Sequence, residues 1–286
     1  MKRKTARKPS TFFPRKRLGQ HFLIDKNAME KIVRVADLDP ADVILEIGPG
    51  RGEMTMLLAQ KSQRVMAVEI DRVLASQLVD KTASLRNVEV ICGDALKVDL
   101  EAMSRHTEKR MKVVANLPYQ ISTPLLMRLV SFRCLFSSMV LMLQKEVALR
   151  AVAKRNTKAY GSLSVLLQVY TTPTIEMLLP PNCFFPRPKV DSALVRFLVH
   201  KTPKIKIDDE QALWRVVRAA FGHRRKTLKN ALKSILPEAR FSEEVGRAME
   251  NVKIDPTRRA ETLSLEEFAR LTDGLRPYLS SLGSGS

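Results

Sequence analysis

The chain carries the stretch Glu46-Ile47-Gly48-Pro49-Gly50-Arg51-Gly52 at the end of an apolar strand candidate, Val43–Ile47. In open α/β sheets, ligands bind beyond the carboxyl ends of the strands, where a glycine-rich turn lets the backbone approach them. The dinucleotide-binding pattern requires its third glycine at position 53, which is Glu53 in this chain. The stretch therefore indicates either a tight turn or a cofactor site, and it favours a cofactor without a pyrophosphate over a dinucleotide.

Strand-like and helix-like segments alternate around this turn. The predicted strands are residues 43–47, 65–70, 88–91, 113–115 and 139–143. The predicted helices are residues 27–36, 53–60, 73–80, 124–130 and 145–153. This alternation predicts the α/β class, with a doubly wound, Rossmann-like sheet of mainly parallel strands.

The second half of the chain has a different pattern. Two further strand candidates, residues 164–170 and 193–199, lie on either side of the proline-rich stretch 180–188, and we expect them to pair as an antiparallel edge of the sheet. Helices are then predicted at residues 211–221, 225–236, 242–250 and 264–275. This change, together with the Lys- and Pro-containing stretch 201–206, predicts a boundary before a small all-α C-terminal domain.

The charge of the chain points to a polyanionic partner. Lys and Arg number 49 against 30 acidic residues, which gives a net charge of +19 and a pI near 10.1. Nucleic acid is the commonest partner of so basic a protein. A membrane surface is the competing polyanion, but the longest strongly apolar run, residues 139–143, is too short to span a bilayer.

The cysteines and the amino terminus indicate a cytoplasmic location. Cys92, Cys134 and Cys183 are scattered, with no metal-ligand spacing, which argues against disulfides and structural zinc. Residues 1–17 contain eight Lys or Arg and no acidic residue, and they lack the apolar segment of a secretory signal. We interpret them as a flexible basic arm, with an organelle transit peptide as the alternative.

A second motif, Asn116-Leu117-Pro118-Tyr119, follows the strand candidate 113–115. Its residue types suit methylation of an exocyclic amine on a nucleobase, whose nitrogen lone pair is delocalised into the ring. Such a site needs acceptors that draw the amine out of planarity, and the Asn116 side-chain oxygen and the Leu117 or Pro118 carbonyl are the candidates. Tyr119 offers a flat face on which a base can stack. The alternative is a strand that simply ends in a turn, where Asn and Pro are common.

Polar groups recur at the ends of successive predicted strands. Glu69 lies about 20 residues after the glycine-rich turn, where an acid can hold two ribose hydroxyls. Asp94 follows the third strand and can accept a hydrogen bond from an adenine amine, although capping of the next helix is its alternative role. With the glycine turn and Asn116, four successive strand ends carry such groups, which favours a binding site.

These motifs in this order resemble the KsgA/RsmA family of ribosomal RNA adenine dimethyltransferases. The resemblance extends from about Arg17 to Leu271. Besides the two motifs quoted above, it includes Leu18-Gly19-Gln20-His21-Phe22-Leu23, Val68-Glu69-Ile70-Asp71, Gly93-Asp94-Ala95, Phe184-Phe185-Pro186-Arg187-Pro188-Lys189-Val190-Asp191-Ser192 and Arg224-Arg225-Lys226-Thr227-Leu228.

The resemblance implies S-adenosylmethionine as methyl donor, S-adenosylhomocysteine as product, and no metal. It places the cofactor against His21, Leu23, Gly48, Gly50, Glu69, Asp94 and Asn116. The catalytic residues that it implies are Asn116, Leu117, Pro118, Tyr119 and Phe184, with Phe184 facing Tyr119 across the target base. The expected reaction is in-line displacement of the methyl group onto N6 of a flipped adenine, twice on each of two adjacent adenines near the 3′ end of small-subunit (16S) rRNA.

The resemblance also implies a partner and a domain plan. The partner is rRNA within an assembling small subunit, bound by a monomer. Candidate contacts to its phosphates are the basic residues Arg224, Arg225, Lys226, Lys229 and Lys233, together with the arm Met1–Arg17. A solvated helix face is the alternative interpretation of these five cations. The expected parts are a basic arm at 1–17, a methyltransferase domain at 18–203, a helical RNA-binding domain at 204–277 and a flexible tail at 278–286.

Three rival functions stay open at this point. An Erm-like methyltransferase of large-subunit rRNA shares the chemistry, although the segment 184–192 and the basic stretch 224–228 fit the KsgA family better. The Asn-x-Pro-Tyr motif alone also allows a DNA adenine methyltransferase. The third rival is a ribosome-assembly or transcription factor without catalytic activity, against which the presence of Glu69, Asp94 and Asn116 argues.

Overall fold

The structure, a computed structural model, describes residues 19–105, 107–223, 225–235 and 241–279. The predicted basic arm, Arg224 and residues 280–286 of the predicted tail lie outside these ranges. The strands are β1 (Phe22–Leu23), β2 (Val43–Ile47), β3 (Arg64–Glu69), β4 (Val88–Cys92), β5 (Met111–Asn116), β6 (Phe136–Gln144), β7 (Thr171–Leu179), β8 (Phe184–Phe185) and β9 (Ser192–Val199).

The helices alternate with these strands up to β7 and then follow them as a group. Those of the alternating part are α1 (Lys26–Val35), α2 (Glu53–Ala59), α3 (Arg72–Thr82), α4 (Leu100–Ser104), α5 (Ser122–Ser131), α6 (Lys145–Val152) and α7 (Ser162–Tyr170). Those of the carboxyl-terminal part are α8 (Glu210–Gly222), α9 (Leu228–Ala231), α10 (Phe241–Asn251) and α11 (Leu265–Leu279).

Seven strands form one mixed sheet in the order β4-β3-β2-β5-β6-β9-β7. The five strands from β4 to β6 in this order are mutually parallel, whereas β9 is antiparallel to both of its neighbours. Both faces of β2 are covered, since Ile44 packs into one apolar cluster and Leu45 into the other. The predicted doubly wound sheet with an antiparallel edge is therefore confirmed, as is the helical carboxyl-terminal region.

The prediction of a strand at residues 164–170 is wrong, because this segment lies in helix α7. Its residues are buried all around the helix, and a short, fully buried apolar run has no periodicity that separates helix from strand. Ser164 stabilises the helix start, since its Oγ accepts a hydrogen bond from Gly161 N at 3.0 Å. The true edge strand is β7, which was missed because Pro173 interrupts its pattern. Proline is tolerated in an edge strand, where one side of the backbone needs no partner.

The helix predicted at residues 225–236 is much shorter in the structure. Residues 225–227 are not helical, α9 has 4 residues, and a 3-10 turn follows at Leu232–Ile235. Tertiary hydrogen bonds explain the difference, because Leu228 N donates to Arg258 O at 2.7 Å and Lys229 N donates to Pro256 O at 3.2 Å. These bonds satisfy amides at the start of α9 with acceptors from a distant segment.

The first helix of the carboxyl-terminal group packs against the end of the sheet domain through a polar cluster. Trp214 of α8 donates a hydrogen bond from Nε1 to the Tyr170 hydroxyl at 3.2 Å. The guanidinium of Arg133 lies over the Tyr170 ring, 4.3 Å from its centroid, and forms an ion pair of 2.5 Å with Glu210. Because Arg133 precedes β6, the start of α8 lies near the amino end of that strand.

Candidate functional site

A cavity with about 710 Å³ of empty space, part of it open to solvent, lies at the carboxyl ends of β2, β3, β4 and β5. Nine predicted site residues border it: His21, Gly48, Gly50, Glu69, Asp94, Asn116, Leu117, Pro118 and Tyr119. The cavity lies where parallel strands place polar groups that are far apart in sequence.

Two of the residues predicted to contact the cofactor or the target base do not border this cavity. Leu23 and Phe184 are partners in the two-stranded pairing of β1 with β8, and both side chains are buried in the same apolar cluster. Phe184 is only 1% exposed, whereas Phe185 next to it is 50% exposed. Alternation along the short strand turns Phe184 inward, so the structure does not place it across a base from Tyr119. The β1–β8 pairing instead brings the segment around His21 to the cavity.

The glycine-rich turn packs closely against its neighbours. Gly50 and Gly52 adopt left-handed φ angles of +56° and +78°. A Cβ added at Gly52 would lie 2.3 Å from a methyl group of Leu78, and one at Gly50 would lie 2.9 Å from the Phe22 ring. Both the backbone conformation and the space therefore require glycine at these positions.

Glu69 connects this turn to the end of β3. Its Oε2 accepts a hydrogen bond from Gly50 N at 3.1 Å, and its Oε1 accepts one from Asp71 N at 2.9 Å. The residue is 4% exposed, and burial raises the pKa of Glu69 while the two backbone donors oppose that rise. Since each carboxylate oxygen can accept more than one bond, Glu69 can also bind two adjacent hydroxyl groups in the cavity.

Asp94 organises a local turn and leaves one carboxylate oxygen at the cavity. Its Oδ1 accepts a hydrogen bond from Leu96 N at 2.9 Å and its backbone oxygen accepts from two later amides, so it does organise the local turn. Oδ2 has no hydrogen-bond partner among the residues that the structure describes, and Asp94 borders the cavity. One oxygen of Asp94 is therefore available as a hydrogen-bond acceptor.

The Asn116 side chain is oriented by a backbone group 95 residues away in sequence. Its Nδ2 donates to the carbonyl oxygen of His21 at 2.8 Å. A carbonyl oxygen can only accept, so this contact determines which end of the amide is the nitrogen. Within the described ranges Oδ1 has no donor, and Asn116 borders the cavity. The side chain thus presents an acceptor to a ligand.

The structure distinguishes the two backbone carbonyls that were candidates as the second acceptor. The Pro118 oxygen already accepts from Ile121 N at 3.1 Å and from Ser122 Oγ at 3.2 Å, within the turn that starts α5. The Leu117 oxygen has no donor in the described part of the chain, and Leu117 borders the cavity. This geometry favours Leu117 over Pro118.

Tyr119 and His21 form a stacked pair that borders the cavity. Their ring centroids are 5.4 Å apart with planes inclined by 28°. The Tyr119 hydroxyl is hydrogen-bonded to Ser192 Oγ at 2.6 Å, and burial raises the pKa of Tyr119. His21 Nδ1 donates to Pro186 O at 2.6 Å, which fixes the ring and its proton. The Tyr119 ring is therefore held in place from two sides.

The sequence interpretation missed Ile70 as a site residue. It borders the cavity and is 49% exposed, although it follows the buried acid Glu69 at the end of an otherwise buried strand. A large apolar side chain exposed at a strand end was the available signal. It gives the cavity an apolar wall suited to a flat ring.

Glu46, the acid that begins the glycine-rich stretch, is buried without full hydrogen bonding. It is 2% exposed, and its Oε2 has no partner among the described residues. Burial raises the pKa of Glu46 from 4.5 to about 8, and the negative charges of Glu69 and Glu53 add to the rise. Glu46 is therefore predominantly protonated at neutral pH.

We expect Glu46→Gln to stabilise the protein increasingly as the pH rises from 4.5 to 8. In this window the unfolded chain releases a proton that the folded protein keeps, so the free energy of unfolding of the parent protein falls with pH. Glutamine has no proton to lose. Melting temperatures of both proteins at pH 5 and pH 8 measure the difference, and Glu89→Gln, at an exposed acid of β4, is the control. A stabilisation equal at both pH values would contradict a protonated Glu46.

Three of the predicted RNA-binding residues, Arg225, Lys226 and Lys229, do not border the cavity but lie towards the same end of the strands. Arg225 and Lys226 are exposed and Lys229 is half-buried, just beyond α8. Phe221, near the end of α8, borders a separate cavity together with Glu146 from the first turn of α6. Since α6 begins where β6 ends, this places the basic stretch towards the carboxyl ends of the strands.

The described residues offer neither a metal-binding cluster nor a membrane-spanning helix. In those ranges, no group of three or more His, Cys, Asp or Glu is arranged to hold a metal ion. No helix of the described part of the chain is both long and apolar enough to cross a bilayer.

Comparison with known proteins gives consistent matches. The sequence profile of the ribosomal RNA adenine dimethylase family matches residues 12–275. The chain is similar to ribosomal RNA small subunit methyltransferase A of Alkaliphilus metalliredigens, with 46% identity over 260 residues that cover 90% of each protein. The corresponding protein of Moorella thermoacetica is 44% identical over 270 residues, covering 92% of this chain and 93% of that protein.

Solved structures agree on the fold. A dimethyladenosine transferase from Plasmodium falciparum superposes with a TM-score of 0.77 at 26% identity, covering 90% of this chain and 98% of that one. The 23S rRNA methyltransferase ErmE superposes with a TM-score of 0.65 at 23% identity, covering 89% and 99%, and it supports the fold alone.

Proposed function

The chain belongs to the ribosomal RNA adenine dimethylase family, and from that premise we propose that it dimethylates N6 of two adjacent adenines near the 3′ end of small-subunit rRNA, with S-adenosylmethionine as donor. The observation that carries the proposal is the Asn116 amide. Its nitrogen is bonded to His21 O at 2.8 Å, so its oxygen is left at the cavity as an acceptor. The N6 amine of adenine requires a hydrogen-bond acceptor. A site built for nucleophilic or metal-dependent catalysis has no such requirement.

The cavity fits the cofactor on three counts. The glycine turn leaves no room for a Cβ at Gly50 and so brings the backbone up to the cavity wall. Glu69 offers two carboxylate oxygens to the ribose, and Asp94 Oδ2 offers an acceptor to the adenine amine, with Ile70 against the ring. S-adenosylmethionine, when bound, supplies an electrophilic methyl group. Positioning and electrostatics are then the work of the protein.

The target adenine is activated by two acceptors from one strand end. We place its N6 hydrogens on Asn116 Oδ1 and the Leu117 carbonyl, which draw the amine towards a pyramidal, more nucleophilic nitrogen. The ring stacks on Tyr119, whose orientation is held by Ser192 and His21. No strong base is needed, because the methylated ammonium loses its proton readily.

The alternatives are less well supported. The two bacterial relatives described above are named for the small subunit at 44–46% identity, whereas the large-subunit enzyme ErmE is 23% identical. A factor without catalytic activity has no need of the buried Glu69 and the oriented Asn116 amide. We further propose that the protein acts as a monomer on assembling subunits in the cytoplasm.

Incubation with radiolabelled S-adenosylmethionine and unmethylated small subunits, followed by mapping of the label, tests the proposal. We expect label on two adjacent adenines near the 3′ end of the small-subunit rRNA. Large subunits and duplex DNA serve as competing substrates. Label confined to either of them, or none with any substrate, would overturn the proposed function.

Replacing Arg225, Lys226 and Lys229 with alanine is expected to weaken binding of small subunits and to reduce its salt dependence. The slope of log affinity against log salt should fall by about one unit for each phosphate that is no longer neutralised. Affinity for the cofactor should not change. Filter binding over a salt series measures the effect.

A control set for this prediction lies at the opposite ends of the strands. Lys61, Arg86 and Lys109 are exposed residues of the loops that precede β3, β4 and β5. Their replacement removes the same charge far from the proposed RNA face. Equal losses of affinity in both triple variants would mean that net charge, and no particular surface, governs binding.

A further inference from the structure

A second cavity, with about 890 Å³ of empty space, adjoins the first at the stacked pair of His21 and Tyr119. Both residues border both cavities. The far wall of the second cavity is formed by Gln144 at the end of β6 and by the segment after β8 that carries Arg187 and Lys189. The two cavities are therefore adjacent and share the aromatic pair as part of their walls.

The wall of the second cavity is mostly apolar, and it also carries two positively charged side chains. Arg187 and Lys189 are exposed, and neither has a carboxylate partner among the residues that the structure describes. Asp191, the nearest acid in that segment, is already paired with Lys145 at 3.2 Å. Gln144 is half-buried, and its side-chain amide has no hydrogen bond to another described residue. A half-buried amide without a partner beside two unpaired cations fits a ligand that combines a hydrogen-bonding edge with negative charge.

The segment that carries the two cations is held against the site. Pro186 O accepts the hydrogen bond from His21 Nδ1 at 2.6 Å, and Pro188 between the cations is buried. Lys145 N donates to Asp191 O at 3.0 Å just beyond them. The positions of Arg187 and Lys189 are thus tied to the residues that border the first cavity.

We propose that the second cavity binds the nucleotide covalently next to the target adenine, with Gln144 on its base edge and Arg187 and Lys189 on its phosphates. The proposal rests on the proposed function, because it assumes an adenine in the first cavity. A glutamine amide matches the paired donor and acceptor of an adenine edge. Phosphate contacts position a nucleic acid while base contacts specify it, so the two kinds of residue have separable effects.

The test uses small subunits reconstituted with rRNA in which one adenine of the pair is intact or replaced by an abasic nucleotide. Methyl transfer to the remaining adenine is followed at saturating cofactor. With the parent protein, removal of the neighbouring base should raise the half-saturating subunit concentration about tenfold, as expected when one bound base is taken away. With Gln144→Ala, intact and abasic subunits should become equivalent.

The charged residues are tested on intact subunits. Arg187→Ala/Lys189→Ala should raise the half-saturating concentration about tenfold with an unchanged maximal rate. Lys61→Ala/Arg86→Ala should change neither quantity, and calorimetry with S-adenosylmethionine checks that each variant is folded. The proposal is overturned if Gln144→Ala still distinguishes the two subunits, or if the Arg187/Lys189 variant behaves as the control does. Failure of the proposed function has a different signature, namely no transfer by the parent protein to intact subunits.

Discussion

Asn116→Ala is expected to lower the rate of methyl transfer by about 10²–10³, the usual contribution of one oriented electrostatic contact to a transition state. Asn116 Oδ1 is proposed to bond the N6 amine most strongly as the nitrogen becomes pyramidal. Its removal should therefore act on the maximal rate, with little change in affinity for cofactor or subunit. Single-turnover assays at saturating cofactor and subunit measure this rate.

The Asn116–His21 contact also stabilises the fold, so a matched control is needed. Asn87 donates from Nδ2 to Ala59 O at 2.8 Å and to Ser62 O at 3.1 Å, far from the cavity. Asn87→Ala removes a comparable amide from backbone acceptors and should leave the rate of the folded protein unchanged. If Asn116→Ala transfers methyl groups at the parent rate, amine activation is wrong and the motif is only a turn.

Tyr119→Ala provides the contrast within the same motif. It removes a stacking surface and no acceptor, so we expect weaker base capture, by roughly 1–3 kcal/mol. The half-saturating subunit concentration should rise, whereas the rate at saturation should change far less than in Asn116→Ala. A decrease confined to the maximal rate would instead assign Tyr119 to the chemical step.

Glu69→Ala is expected to lower the affinity for S-adenosylmethionine by a factor of about 10 to 100. This corresponds to roughly 1.5–3 kcal/mol, because two charge-assisted hydrogen bonds are lost. The structure adds a second reason, because Glu69 also accepts from Gly50 N and thereby holds the glycine turn against β3. Glu69→Gln should be nearly as harmful. Its amide would turn a donor towards either Gly50 N or Asp71 N, both of which are donors themselves.

Calorimetry of the folded variants measures this effect. Glu53→Ala is the control, since Glu53 is an acid of the same turn that pairs with Lys81 at 3.4 Å and does not border the first cavity. Its replacement should leave cofactor affinity within about twofold, as is usual for an exposed ion pair. An unchanged affinity in Glu69→Ala would remove Glu69 from the cofactor site.

Local sequence was sufficient to predict the parts of the fold that depend on the spacing of apolar residues and on the φ angles that each residue type allows. The five parallel strands were predicted because each is a short apolar run between helical segments. The turn at Gly48, Gly50 and Gly52 was predicted because a glycine-rich stretch follows a strand, and the structure gives all three glycines left-handed φ angles. Placing Glu69, Asp94 and Asn116 at one cavity followed from a general property of parallel sheets, whose strand ends lie side by side.

Tertiary structure alone decided which atoms face the cavity. The residues of α7 are almost all buried, so their sequence has no pattern that distinguishes a helix from a strand. Phe184 and Phe185 are the same residue type, and only their opposite orientations in a two-residue strand make one buried and the other exposed. The Asn116 amide is oriented by His21 O, 95 residues away in sequence. The Pro118 carbonyl oxygen already accepts hydrogen bonds from donors in its own turn. Hydrogen bonds are directional and join segments that are distant in sequence, whereas a sequence pattern records only the apolar or polar character of each position.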